Sequence, residues 1–362
     1  MISRNSLSGV LPIKRLGEVV EFLDSKRRPI TESDRRAGPY PYYGANGLQG
    51  TIDDYIFDEP LVLLAEDGGH FGEPERGIAY RISGKTWVNN HAHVLRPTSK
   101  IDLAYLCRVL ENYDVTPFVT GTTRGKLTKA GASEIVIPLP PLAEQRRIAE
   151  VLDRAEALRA KRRAALAQLD SLTQSLFLDL FGDPVSNPRK WPQENLETVF
   201  HFRTGKLDSN AAVASGQYPF FTCSREDFRI DTFAFDCEAL LLAGNNASAD
   251  YSVKHYKGKF NAYQRTYVIT LRDERNSYDY SRFVLEHRLT ELKRISKGTN
   301  TKYLTMELLN RIRVPVPPIE LQREFARRAG VVEKLRAAQR ASLAELDALF
   351  ATLQHRAFRG EI

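Results

Sequence analysis

An internal repeat of about half the chain length constrains the fold of this protein more than any other feature. Residues 40–43 read Tyr-Pro-Tyr-Tyr, and residues 218–221 answer with Tyr-Pro-Phe-Phe. Residues 63–65, Leu-Leu-Ala, recur at 241–243, again 178 positions later. The matches keep their order through the proline-rich run at 137–142, which recurs 177 positions later. This conserved order predicts two copies of one structural unit, and 362 residues suit two domains better than one.

Each copy begins with a mixed segment and ends with a long helix. The mixed segments, about 20–138 and 200–315, combine short β-type runs with Gly, Asn and Asp, which is typical of a compact α/β unit with many loops. Pro140 and Pro141 block any helix from upstream, and residues 142–181 then run without Gly or Pro. The sequence therefore predicts a helix of about 40 residues here and an equivalent helix at the end of the second copy.

Both helical segments carry apolar residues at heptad spacing. In the first copy, one stripe consists of Ile148, Ala155, Leu169 and Leu176, and a second consists of Val151, Leu158, Ala165 and Leu172. Shifted by 177, these positions read Phe325, Val332, Leu346 and Leu353, and Arg328, Leu335, Ser342 and Leu349. We expect the helices to bury these stripes against each other, and the alternative is that each helix packs on its own domain.

The predicted fold class is α/β (α+β), with two pseudo-twofold-related domains separated by a pair of long antiparallel, coiled-coil-like helices. The predicted boundaries are 1–138 for the first domain, 139–183 for the central helix, 184–315 for the second domain and 316–362 for the C-terminal helix. A pseudo-twofold axis would place the two domains at opposite ends of the helix pair.

The net charge of +7 is distributed unevenly. Residues 1–183 hold 24 Lys and Arg against 24 Asp and Glu, so the remaining residues carry 28 against 21 and the whole excess. Within the second half, residues 251–300 hold 11 basic and 5 acidic side chains. This stretch is a candidate polyanion-facing surface, and a solvated basic surface is the alternative.

Composition also favours a cytoplasmic protein. Cys107, Cys223 and Cys237 form neither a CxxC motif nor an even disulfide set, which points to a reducing compartment and away from a structural zinc site. The longest apolar runs are far shorter than a bilayer crossing, and the N-terminus lacks the apolar core of a signal peptide. We therefore expect no membrane partner.

The motifs of common enzymes are missing from the sequence. The seven histidines form no HExxH pattern, and neither a dinucleotide fingerprint nor the Asn-Pro-Pro-aromatic tetrad of amino-methyltransferases is present. Residues 121–127 resemble a phosphate-binding loop, but they have three residues between the glycines instead of four, and Leu127 stands where a Ser or Thr must reach magnesium. For His91 and His93, metal ligation is weighed against an ordinary strand or loop role, which is favoured. We predict no catalytic residue, cofactor or metal.

Polar loops at matched positions carry side chains that suit nucleic acid. Two sets follow Gly-Lys at the same distance: Asn89, Asn90 and His91 in the first copy, and Tyr263, Gln264 and Arg265 in the second. Asn and Gln can bind an adenine edge through two hydrogen bonds, and Arg can bind guanine in the same way. Because the framework repeats while these loops differ, the two domains would read two different short sequences.

A second pair of matched loops is short, polar and basic. It contributes Thr123, Arg124 and Lys126 in the first copy and Asn300 and Lys302 in the second, as candidates for phosphates or base edges. Lys85 and Lys259 are predicted phosphate contacts. The remaining predicted DNA contacts are Tyr43, Asn46, Ser224 and Arg225. For each single residue, a solvated or turn-forming position is the alternative.

Four of these segments together resemble the specificity subunit of type I restriction-modification systems. They are residues 87–94 (Trp-Val-Asn-Asn-His-Ala-His-Val), residues 121–128, the run from Ile-Pro-Leu-Pro-Pro-Leu into Ala-Glu-Gln-Arg-Arg-Ile at 137–148, and Phe-Arg-Gly-Glu-Ile at 358–362. The resemblance covers the whole chain and the alternation of domain and helix. Two departures concern partner contact: the second copy has Leu321 where the first has Glu144, and Ile362 closes a tail that often ends in leucine.

The resemblance implies a non-catalytic DNA reader. Each domain would be a target-recognition domain that holds one half of a bipartite, asymmetric target in the major groove of double-stranded DNA, and the helices would set the unread gap. The helices would also dock methyltransferase subunits, two in number, which use S-adenosylmethionine, together with restriction subunits. Residues for partner contact would be Gln145, Arg146, Gln322 and Arg323. The basic cluster Arg159, Lys161, Arg162 and Arg163 would be partner or DNA-backbone surface, or else a solvated helix face.

Two other classes of protein stay open at this point. A coiled-coil adaptor with two protein-binding heads would share the architecture but would show no salt-sensitive retention on DNA. A self-sufficient nuclease or methyltransferase would require a carboxylate or nucleotide site that the sequence does not reveal.

Overall fold

The computed structural model describes residues 11–73, 76–121, 124–246, 251–298 and 301–361. They form two compact units. The first unit contains the chain up to Arg163 and again from Ala341 onward, and the second spans Ala164–Arg340. The division cuts through both long helices, so each unit contains the first part of one helix and the last part of the other.

The helices and strands of the first unit alternate as the sequence predicts. In chain order they are β1 (Ile13–Arg15), α1 (Leu16–Val19), β2 (Val20–Phe22), β3 (Tyr40–Gly44), β4 (Gly47–Ile52), β5 (Phe57–Asp58), β6 (Leu61–Ala65), β7 (Ala79–Ile82), β8 (Lys85–Val88), β9 (Ala92–Pro97), α2 (Leu103–Glu111), β10 (Val119–Thr120), β11 (Lys126–Leu127), α3 (Lys129–Ser133), β12 (Val136–Pro138) and the first part of α4 (Leu142–Phe181).

Two four-stranded sheets make up most of this unit. One has the order β2-β9-β6-β7 with antiparallel neighbours, and the other has the order β4-β3-β8-β5. Within the second sheet, β3 and β8 run parallel, with Tyr43 opposite Val88. Since parallel strands end at the same edge of a sheet, the loops after β3 and β8 lie side by side.

Strand β6 is covered on both faces, which explains why its sequence is apolar without alternation. All five of its residues are buried. Val62 and Leu64 belong to the main core of the unit, whereas Leu61 and Leu63 belong to a separate core on the other face of the strand. Successive side chains of a strand point to opposite faces, so a strand covered on both faces must be apolar at every position.

The second unit repeats this order of helices and strands. It contains β13 (Gln193–Asn195), α5 (Leu196–Val199), β14 (Phe200–Thr204), β15 (Tyr218–Phe221), β16 (Phe228–Ile230), β17 (Phe235–Ala243), β18 (Asn245–Asn246), β19 (Val253–Ala262), β20 (Thr266–Leu271), α6 (Tyr278–Ile295), β21 (Lys302–Tyr303), α7 (Met306–Leu309), β22 (Arg313–Pro315) and the first part of α8 (Ile319–Phe358).

The main sheet of the second unit has six strands in the order β14-β20-β17-β19-β15-β16. Within this sheet, β15 and β19 run parallel, with Phe221 opposite Ala262. The same relationship joins β3 to β8 in the first unit. The repeat in the sequence therefore corresponds to a repeat in the fold, as predicted.

The long helix α4 has the predicted bounds of 142–181. In the first unit its early turns pack against the last turns of α8. Arg159 Nε bonds to Asp347 Oδ1 at 2.6 Å, and the guanidinium stacks over the Phe350 ring at 4.4 Å. Phe358, at the end of α8, contacts Tyr105, whose hydroxyl donates to Pro138 O just before α4. The two helix segments are therefore antiparallel within this unit.

The second unit contains the equivalent helix contacts. Arg336 pairs with Asp170, and both residues lie 177 positions from Arg159 and Asp347 respectively. The rings of Phe181 and Phe325 lie 5.6 Å apart. Phe181 follows Asp170 in α4, whereas Phe325 precedes Arg336 in α8, so the two helix segments again run antiparallel.

One of the two predicted heptad stripes is wrong by one residue. Leu158, Leu172, Leu335 and Leu349 are 50–51% exposed. The covered positions are instead 152, 159, 166, 173 and 180 in α4, where Leu152 is fully buried. Arg159 and Thr173 occupy two of these positions, so the covered stripe is not apolar throughout in the sequence. The stripe through Ile148, Ala155, Leu169 and Leu176 lies on the covered side, as predicted. Among the described residues, no helix combines the length and apolarity that crossing a membrane requires.

Candidate functional site

Each unit has one sheet edge where the predicted loops come together. In the first unit, the N–H of Asn89 donates to Tyr43 O at 3.0 Å and joins the loops after β8 and β3. In the second unit, the N–H of Tyr263 donates to Phe221 O at 2.9 Å. Asn89 and Tyr263 thus occupy equivalent positions, as their distance after Gly-Lys predicts.

The first edge is defined here by Asn46, Asp67, Gly68, Asn90, His91 and Arg124. Asn46 Nδ2 donates to Gly68 O at 3.0 Å, and the N–H of Asp67 donates to His91 O at 3.2 Å. Arg124 Nε pairs with Asp67 Oδ1. Four separate segments of the chain therefore meet at this edge. Asn46, Asn90 and Arg124 are exposed.

Asn89 is not a surface residue, which corrects its assignment as a base contact. Its side chain is buried, Nδ2 donates to Gln49 Oε1 at 3.2 Å, and Oδ1 accepts the N–H of His91 at 2.8 Å. Both ends of the amide are thus used to shape the loop. Asn90 and the partly exposed His91 remain predicted contacts.

A cluster of charged side chains lies behind the first edge. Glu66 pairs with Arg27 at 2.6 Å and with Lys126 at 3.1 Å. His93 Nδ1 lies 2.6 Å from Asp24 Oδ2, and its Nε2 lies 2.8 Å from Leu127 O. Burial raises the pKa of the carboxyls of Asp24 and Glu66, but the bonds from His93 and Arg27 outweigh burial and hold both pKa values below their ordinary values.

Three residues of the same cluster are of the types that bind metal ions. Asp24, Glu66 and His93 have ligand atoms within 4.8 Å of one another. However, Arg27 and Lys126 already pair with Glu66, and both nitrogens of His93 face acceptor atoms. Each ring nitrogen of His93 already has a hydrogen-bond partner, so neither is left over for a metal. The residues therefore fit a salt-bridge cluster, and His93 has a structural role in strand β9.

The second unit has uncharged residues at the positions of His93 and Glu66. Tyr267 occupies the position of His93, and its hydroxyl donates to Leu304 O at 3.0 Å, as His93 bonds to the equivalent Leu127 O. Gly244 occupies the position of Glu66. The N–H of Gly244 donates to Arg265 O and its carbonyl accepts the N–H of Leu304, as Glu66 bonds to the equivalent residues His91 and Leu127. At these two described positions, the second unit therefore carries no charged side chain.

The second edge is defined here by Asn245, Gln264, Arg265 and Lys302. The N–H of Gln264 donates to Leu207 O at 2.9 Å, and its exposed side chain reaches Asp208 Oδ2 at 3.4 Å. Arg265 is exposed, and its carbonyl accepts the N–H of Gly244 at 2.8 Å. Lys302 lies on β21 opposite Asn246.

The other predicted contacts near the second edge have partly local roles. Ser224 Oγ accepts the N–H of Glu226 at 3.1 Å, and Lys254 Nζ donates to Arg225 O at 3.1 Å. Tyr263 is half-buried, as is Tyr43 in the first unit. Two predicted contacts, Thr123 and Asn300, lie outside the described residues.

Paired glycines shape the loops that precede β11 and β21. Gly121 has φ +94° and Gly298 has φ +101°. A Cβ would lie 2.5 Å from Arg124 O in the first case and 2.1 Å from Thr301 O in the second, so only glycine fits. Leu127, in the segment that resembles a phosphate-binding loop, thus lies on strand β11, and the following helix α3 begins at Lys129.

Lys85 and Lys259 lie apart from the edges, at a feature that sequence reasoning missed. Lys85 Nζ lies 4.7 Å from the centre of the Tyr55 ring, and Lys259 Nζ lies 4.7 Å from the Phe233 ring. Each lysine lies four residues before the loop of its edge. At about 3.3 Å per residue along a strand, the lysine is about 13 Å from that loop. The sequence does contain a signal for these lysine–ring contacts. The matched segments that begin at Ile52 and Ile230 both have an aromatic residue at the ring position, Tyr55 and Phe233.

Gln145 and Gln322 are buried, with 1% and 0% exposure, which corrects their assignment to partner contact. Gln145 Oε1 accepts the N–H of Asp102, the N-cap of α2, and its Nε2 donates to Pro140 O. Gln322 bonds in the same way to Ser277, the N-cap of α6, and to Pro317 O. Because both ends of each amide are used inside the unit, none is left for a partner. Their neighbours Arg146 and Arg323 are exposed and stay predictions.

A family model described as the type I restriction modification DNA specificity domain matches this chain twice, at residues 12–168 and 188–346. The two matches cover most of the chain and correspond to the two copies of the repeat.

Similar proteins include a putative type I restriction enzyme specificity subunit, S.HindORF215P, from Haemophilus influenzae, at 40% identity over 40% of this chain and 37% of that protein. The EcoDI specificity subunit of Escherichia coli is 39% identical over 36% of this chain and 28% of its own length. These matched segments thus span about a third of each relative. The MjaVIII specificity subunit of Methanocaldococcus jannaschii is 21% identical over 89% of this chain and 86% of its own length.

Solved structures support the fold. The type I restriction-modification S subunit from M. genitalium matches with a TM-score of 0.68 at 14% identity, over 97% of both chains. A chain from a study of complex assembly and conformational transition in the type I R-M system matches with a TM-score of 0.52 at 18% identity, over 98% of this chain and 100% of that one.

Proposed function

This chain belongs to the type I restriction modification DNA specificity family, and we propose that its two units read the two halves of a bipartite, asymmetric DNA target. The observation that carries the proposal is the pair of edges. They share one main-chain framework, fixed by the bonds of Asn89 and Tyr263, and they differ in their exposed side chains.

The exposed groups suit base edges in the major groove. The first edge offers Asn90, His91 and Arg124, and the second offers Gln264 and Arg265. Amide and guanidinium groups can each make two hydrogen bonds to one base and so distinguish the four base pairs in that groove. Two edges with different groups would recognise two different short sequences.

The duplicated lysines suit phosphate contacts. Lys85 and Lys259 are exposed, and each is held beside an aromatic ring, Tyr55 in the first unit and Phe233 in the second. Phosphate contacts fix the position of a protein on the duplex without reading sequence. In this proposal the lysines anchor the backbone while the edges read bases.

Partner subunits would supply the chemistry. We assign docking of methyltransferase subunits, which carry S-adenosylmethionine, to the exposed leucines Leu158, Leu172, Leu335 and Leu349. Exposed leucines at equivalent places on two helices favour two such subunits. Restriction subunits would join the same assembly, and the long helices would set the gap between the half-sites.

Salt-dependent DNA binding by the purified complex tests this function. The chain with its methyltransferase subunit should be retained on double-stranded DNA, and log affinity should fall linearly with log salt. A coiled-coil adaptor with two protein-binding heads would show no such retention. Turnover of DNA by the chain alone would favour a self-sufficient enzyme and would contradict the proposal.

A further inference from the structure

The pair formed by Arg124 and Asp67 is present only in the first unit. Arg124 Nε bonds to Asp67 Oδ1, while 60% of the Arg124 side chain stays exposed. In the second unit, Asn245 occupies the position of Asp67, 178 residues later, and Thr301 occupies that of Arg124, 177 residues later. Neither residue can form an ion pair, so this pair is one of the differences between the two edges.

Main-chain bonds hold the backbone of Asp67 at the first edge, and Asp67 Oδ2 lies 3.5 Å from His91 Nδ1. The N–H of Asp67 donates to His91 O at 3.2 Å, and Asp67 forms a β-bridge with Lys126. Its neighbour Gly68 accepts a hydrogen bond from Asn46. The carboxylate therefore lies between three loops of the first edge and offers a fixed point for the guanidinium of Arg124.

Gly68 leaves room for that guanidinium. Its φ is +69°, a conformation that favours glycine, and a Cβ at this position would lie 2.8 Å from Arg124 Nη2. The local backbone is thus compatible with one placement of the Arg124 head group over Gly68.

The remaining donors of Arg124 suit guanine better than phosphate. With Nε bonded to Asp67, the two Nη groups present a planar fork, which matches the O6 and N7 acceptors of guanine in the major groove. Asp67 also offsets the formal charge of Arg124, which weakens the attraction to a phosphate while leaving the donor geometry unchanged. Lys126, by comparison, is a point charge paired with Glu66.

We propose that Arg124, positioned by Asp67, reads a guanine in the half-site that the first unit contacts. This inference rests on the proposed DNA-reading function and goes beyond it by naming the base. Arg124 is the contacting residue, and Asp67 is a positioning residue that acts through Arg124.

Methylation of unmodified DNA by the chain and its methyltransferase subunit, followed by sequencing of the methylated sites, tests the inference. Arg124→Lys should relax a single guanine position in one half-site, with discrimination falling roughly 10-fold, because one bidentate contact is lost. Asp67→Asn should relax the same position, and the double variant should relax it no further than Arg124→Lys does. Lys100→Ala, at an exposed position outside both edges, is a control that should leave this position unchanged.

A residue that only stabilised the loop would weaken methylation at all positions alike, so base-specific relaxation separates the two roles. If the wild-type target has two halves but Arg124→Lys leaves every position unchanged, or relaxes a position other than guanine, the inference is wrong and the proposed function stands. A wild-type complex that methylates no bipartite target would overturn the proposed function and this inference with it.

Discussion

Gln145 and Gln322 make the same set of hydrogen bonds in the two units, 177 residues apart. Each amide oxygen accepts the N–H of a helix N-cap, Asp102 or Ser277, at 2.8 Å and 2.9 Å respectively. Each amide nitrogen donates to the carbonyl of a proline five residues earlier. The glutamine thus joins the start of a long helix to the α/β part of its own unit.

Replacing Gln145 with Leu should destabilise the first unit by about 2 kcal/mol, because the buried N–H of Asp102 and the carbonyl of Pro140 lose their partner. Hydrogen exchange would locate the loss in the first unit, and denaturant unfolding would measure it. The adjacent Arg146→Ala, at an exposed position, should change the free energy of unfolding by less than about 0.5 kcal/mol. Equal effects of the two substitutions would contradict the structural role of Gln145.

The charged cluster predicts a pH dependence of stability. The folded pKa values of Asp24 and Glu66 are lowered, so their contribution is present above about pH 4, where the unfolded carboxyls titrate, and is lost as the pH falls through the folded values. Glu66→Gln should therefore destabilise the protein by about 3 kcal/mol at pH 7, because Arg27 loses a buried partner. This difference from the wild type should shrink on acidification, and a difference that stays constant down to pH 3 would refute the assignment.

Buried and exposed leucines of α4 should respond differently to substitution. Leu152→Ala should cost about 2–4 kcal/mol in the free energy of unfolding, because Leu152 is fully buried. Leu158→Gln and Leu172→Gln should change stability by less than about 0.5 kcal/mol and should weaken binding of the methyltransferase subunit. Calorimetric titration with that subunit would check the second effect, and unchanged affinity would remove the exposed leucines from the docking surface.

The lysines beside the aromatic rings predict a change in salt dependence. Lys85→Ala and Lys259→Ala should each reduce the slope of log affinity against log salt by about one, with similar losses on all DNA sequences. Lys14→Ala, on strand β1, serves as a control and should leave the slope unchanged. A Lys85 variant with the wild-type slope would show that this lysine only packs on Tyr55.

The sequence was sufficient to predict what depends on repetition and on strong local signals. The two copies follow from matched spacing, and the bounds of α4 follow from Pro140 and Pro141 and from the absence of Gly and Pro after them. The predictions that failed concern residues that are buried by distant segments of the chain. Asn89 and Gln145 look like surface polar residues in the sequence, but Gln49 and Asp102 lie against them in the fold. Asp67 drew no prediction, since its importance comes from the position of Arg124.

The central claim is that each unit reads one half of a bipartite target, and the methylated sites of a Gln264→Ala, Arg265→Ala double variant test it most directly. Both substituted side chains lie on the second edge and are exposed. Sequencing of methylated DNA should show one half-site as specific as in the wild type and the other relaxed, with the gap between them unchanged. Relaxation of both halves, or wild-type specificity in both, would contradict the account.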